Sequence, residues 1–134
     1  MRRIQTGGAA VELTLVTPLL ILLLVFVVGL GRLASSRIDV NVAAHDAARA
    51  ASIARDPADA SRAAKDAAES TLHGVTCATL DVAVDTSAFH PGGSVAVRVT
   101  CTVDLGDLGA LHMPATTTVS ARFSSPIDLY RSGP

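Results

Sequence analysis

Tryptophan is absent from the chain, tyrosine occurs once, and cysteine and methionine occur twice each in 134 residues. Excess charge is lacking too: the formal net charge is -1, with basic residues scattered along the sequence. Phosphate contacts need a concentrated basic face, so a nucleic-acid partner is excluded. The length leaves no space for a catalytic domain beside a separate cofactor domain, which at about 100–200 residues per domain would be a longer chain. Nucleophile-elbow and glycine-rich phosphate-loop motifs are missing. The four histidines, His45, His73, His90 and His112, have no second histidine or cysteine at metal-ligand spacing. No catalytic residue, metal, cofactor or small-molecule substrate is therefore assigned, and the expectation is a protein without enzymatic activity.

What is present is an apolar block. Between Glu12 and Arg32 no residue is charged, and residues 13–31 read LTLVTPLLILLLVFVVGLG, close to the roughly 20 residues a helix needs to cross a bilayer. A cleavable secretory signal has a shorter apolar core of about 7–15 residues, so this run reads as a retained membrane span. Arg2 and Arg3 precede it and Arg32 and Arg37 follow it, so the distribution of basic residues leaves the orientation open.

From Leu33 to Arg55 neither glycine nor proline interrupts the chain, and Ala43, Ala44, Ala47, Ala50, Ala51 and Ala54 recur in steps of three and four. This spacing continues the membrane helix outward. Asp56-Pro57 punctuates it, because the residue before proline disfavours the α region and proline suits the first position of a helix. Asp56 is the expected N-cap of a second helix with a stripe of Ala60, Ala63, Ala64, Ala67, Ala68 and Leu72, and Gly74 is its stop.

Beyond Gly74 the period changes to two. Leu80, Val82 and Val84 alternate with Asp81, Ala83 and Asp85. Val95, Val97, Val99, Cys101, Val103 and Leu105 alternate with polar or small residues, and residues 117–123 place Val119, Ala121 and Phe123 on one face. These are three half-buried strands, the first two joined as a hairpin through Pro91-Gly92-Gly93. If Val84 lies opposite Val95, Ala78 falls opposite Cys101, and a one-residue bulge brings Cys77 and Cys101 to bridging distance. One disulfide outside the cytoplasm would be worth on the order of 2–4 kcal/mol. A cytoplasmic domain would carry two buried thiols instead. Residues 124–134 have no period and read as a loose tail.

The most telling residues precede the apolar run. Gly8-Ala9-Ala10-Val11-Glu12 sets a carboxylate at the start of an apolar helix, where it is partly desolvated unless compensated. One reading parks the charge at the lipid headgroups near the positive end of the helix dipole. The other supplies a cation: a cut after Gly7 would create an α-amine on Gly8, one turn from Glu12.

This arrangement resembles the type IV prepilin signal, a short basic leader ending in glycine with glutamate fifth in the mature chain. More specifically, residues 8–12, Pro18 before a leucine-rich stretch, Gly31-Arg32 and the alanine-rich helix resemble the TadE-like family of pilus-assembly pseudopilins. The loop from Asp85 to Gly93 and the strand around Cys101 resemble actinobacterial members, although Leu13 stands where many relatives carry an aromatic residue.

The resemblance implies an α+β, pilin-like fold: a leader over residues 1–7, a transmembrane segment over 8–31, a helical stalk and second helix over 32–73, a small antiparallel sheet over 74–124 and a flexible tail over 125–134. It implies a minor pilin or pseudopilin acting in assembly of a tight-adherence (Flp-type) pilus. Gly7 and Gly8 would be the processing site, Glu12 the assembly residue and Cys77–Cys101 the disulfide. The implied partners are the membrane, a prepilin peptidase and other pilins or pilus-assembly proteins, with the N-terminus cytoplasmic and the C-terminal domain extracytoplasmic. The competing expectation is an unprocessed, membrane-anchored extracytoplasmic binding or adhesion module.

Overall fold

A computed structural model describes residues 7–75, 77–104 and 116–130. The order of elements is α1 (Gly7–Ser52), α2 (Pro57–Thr71), β1 (Cys77–Asp85), β2 (Ser94–Asp104) and β3 (Thr116–Pro126). The fold is α+β, with a long apolar N-terminal helix, a second helix and a three-stranded antiparallel sheet in the order β1-β2-β3. The chain divides into two compact units, Met1–Leu33 and Ala34–Pro134.

In the first unit the apolar block is helical throughout and has no core. Leu13, Leu15, Leu19, Leu22 and Leu24 are all exposed, as are Phe26 and Leu30. Pro18 lies inside the helix, and the Thr17 hydroxyl beside it donates to the Leu13 carbonyl at 2.6 Å.

The second unit buries the small residues. On α1, Val40, Ala43, Ala44, Ala47, Ala48 and Ala51 are buried, and on α2 Ala60, Ala64 and Ala68, with Leu72 just beyond its end. Alanine at these spacings makes one smooth face per helix and loses no side-chain entropy on burial. Bulk comes from the sheet: Val95, Val97, Val99 and Cys101 of β2 are fully buried, each valine contributing roughly 1.5–3 kcal/mol relative to exposure. Helix α1 ends at Ser52, three residues before the expected Arg55, as the Ser52 hydroxyl bonds back to the Arg49 carbonyl and the Ala54 amide tightens onto Ala51. Helix α2 starts as the sequence specifies: Asp56 is extended, its carboxylate accepts the Asp59 amide at 2.8 Å, and Pro57 opens the first turn. That bond, first of all, holds the Asp56 carboxyl below its ordinary value. Gly74, at φ 98°, turns the chain toward the sheet.

The hairpin register differs from the sequence expectation by two residues. Val84 lies opposite Val97, and Leu80 opposite Cys101. A shift of two preserves the faces, because side chains alternate with period two; the inner faces therefore hold the expected residues. Loop 86–93 sets the register. The Ser94 amide reaches back to the Ala88 carbonyl, and the Gly93 amide to that of His90. A Cβ on Gly93 would lie 2.0 Å from the Ala88 carbonyl oxygen, so only glycine fits there.

The third strand is longer than its apolar pattern. It continues to Pro126, after which Ile127 is buried, its amide donating to Gly93 and its carbonyl accepting from Gly92. Residues 125–127, assigned to the tail by composition, thus belong to the sheet and its anchor. Residues 131–134, and residues 1–6 of the expected leader over 1–7, lie outside the described residues.

Candidate functional site

The residues singled out for processing and assembly sit at the first turns of α1. Gly7 is its first residue, and Gly8 and Glu12 are both exposed. Four residues apart, they share one helix face. Amides of the first turn have no intrahelical acceptor, and the positive end of the helix dipole lies there; Glu12, sixth in the helix, stands just beyond that turn, which holds no acidic residue.

The two cysteines meet. Cys77 and Cys101 are joined by a disulfide, with Cα atoms 5.5 Å apart. Cys77 lies opposite Val103, and the register shifts between Cys77 and Thr79. This bulge sets Cys77 diagonally across from Cys101, on the face that β2 buries. The bridge closes the hairpin at the end remote from its loop.

The histidines do not converge. His45 of α1 packs edge-on against Phe123 of β3, ring centroids 4.5 Å apart, with Asp46 3.5 Å from its Nδ1. His73 is exposed, and His90 lies in the loop with Nδ1 3.2 Å from the Pro91 carbonyl. His112 lies outside the described residues. Among the described residues no three histidines, cysteines or carboxylates are grouped as a metal site.

Some polar contacts had no sequence signal because they join residues far apart in the chain. Thr71 of α2 donates to Asp46 of α1 at 3.1 Å. On the outer sheet face Arg122 of β3 lies 3.7 Å from Asp85 of β1, reaching over Ala96 of β2. Hydrogen bonds from the Ser87 hydroxyl and amide, then the nearby Arg122 guanidinium, hold the Asp85 carboxyl below its ordinary value. The depression between these side chains, lined also by Ala83 and Arg98, is about 190 Å³ and open to solvent. Ligand pockets run to roughly 300–1,000 Å³, so this depression is too small to enclose a substrate.

The remaining feature is the apolar helix itself. Among the described residues one helix is long and apolar enough to cross a membrane, with a mean hydropathy of 2.8 in its most apolar window and none of that window buried. A core helix of a soluble domain would be covered by its own fold, so this one suggests a single-pass membrane anchor.

Neither a curated protein nor a solved structure matches the chain. Residues 7–49 match the family of TadE-like proteins, a stretch that takes in nearly all of α1 and nothing of α2 or the sheet. The match suggests a place in tight-adherence pilus systems, in association with the membrane and the pilus-assembly machinery. From its first helical glycine through the apolar run to the alanine face, the chain carries a TadE-like segment.

Proposed function

We propose that this protein is a minor pilin or pseudopilin acting in assembly of a tight-adherence (Flp-type) pilus, with no enzymatic activity of its own. The observation that carries the reading is the coincidence of the TadE-like match with a helix that starts at Gly7, has Glu12 near its start and buries none of its apolar run. In this reading a prepilin peptidase removes residues 1–7 on the cytoplasmic side, between Gly7 and Gly8. The apolar part of α1 then holds the mature chain in the bilayer, with the sheet and α2 extracytoplasmic, where the Cys77–Cys101 bridge is stable to reduction. Glu12 pairs with the new Gly8 amine, on the same chain or on a neighbouring subunit. A charge at the bilayer centre costs about 2.5–3.5 kcal/mol on insertion scales and less toward the edge, so a cation partner favours helix association there.

The intact mass of the membrane-extracted protein tests processing: loss of Met1 to Gly7 is expected. Retention of all seven residues would overturn the maturation step and favour an unprocessed membrane-anchored binding module. In the same membranes Glu12→Gln should leave leader removal intact and reduce recovery of other pilus components, because the amide keeps the shape and loses the charge. Undiminished recovery would remove the pairing role, and an uncut leader would assign Glu12 to recognition by the peptidase.

A further inference from the structure

We draw no further inference here: the strongest candidate, the outer edge of β3, which pairs with no strand among the described residues, carries nothing because nothing in the structure shows what covers it.

Discussion

The first unit and the helical part of the second reverse the usual relation between side-chain size and burial. Leu13 and Leu15 are 67% and 73% exposed, whereas Ala43 and Ala47 are 0% exposed. In water the large residues would gain most from burial, at about 0.8 kcal/mol per CH2 group, so their exposure suggests a membrane anchor for that part of α1. Hydrocarbon serves a leucine surface as well as a protein core does. Around the alanines the medium is the protein itself, and there close approach matters more than the area of any one side chain. One helix thus carries two sequence codes for two surroundings.

An arginine in the apolar run tests that contrast with the largest expected effect. Leu22→Arg places a charge near the middle of the span at a cost of about 2.5–3.5 kcal/mol on insertion scales. Most of the protein should be lost from the membrane fraction, as read by carbonate extraction. Next in size is Ala47→Leu, which overpacks a fully buried site and should destabilise the second unit by about 1–3 kcal/mol. Thermal melts should show a lower Tm, by roughly 4–8 °C per kcal/mol for a domain of this order, with membrane recovery unchanged. Equal effects of the two substitutions on both measurements would erase the distinction between the regions.

The smallest effect is a titration confined to the second unit. Asp56 and Asp85 both have folded-state values below the ordinary 3.8. Their ionised forms therefore stabilise the fold above that value, and the contribution is lost as pH falls through their lowered folded values. Acidification past 3.8 should lower Tm modestly. Asp56→Asn keeps a capping acceptor and removes one titrating group, so its Tm should fall less across that range; an identical fall would show that the Asp56 carboxylate contributes nothing to the slope.

The sequence was legible where a period or a punctuating pair carries the information. The uncharged run before Arg32, the Asp56-Pro57 start of α2 and the alternation through Val95, Val97 and Val99 each act locally and reappear in the structure. The hairpin register did not, because loop 86–93 folds on itself through Ala88 and His90, and nothing periodic encodes that closure. Ile127 was missed for a similar reason: one buried residue after Pro126 has no neighbours with which to make a pattern. At the candidate site, Gly7, Gly8 and Glu12 stand at the head of the apolar helix, as their order in the sequence requires, and their roles in processing and assembly are proposals. The contacts of Asp46 with Thr71 and of Asp85 with Arg122 arise only when separate elements come together.

The bonds between Ile127 and the hairpin loop also have a mechanical meaning. An antiparallel strand pulled from its end separates one rung at a time, so its resistance is set by whatever holds the first rung. For tension arriving from the C-terminus that rung is Ile127, buried and bonded on both sides to Gly92 and Gly93. Gly92 in turn leaves room for Leu129, whose side chain a Cβ there would strike at 2.5 Å. Load would thus meet a buried latch before reaching the ladder of β3, and the glycines that shape the loop also secure the far end of the chain.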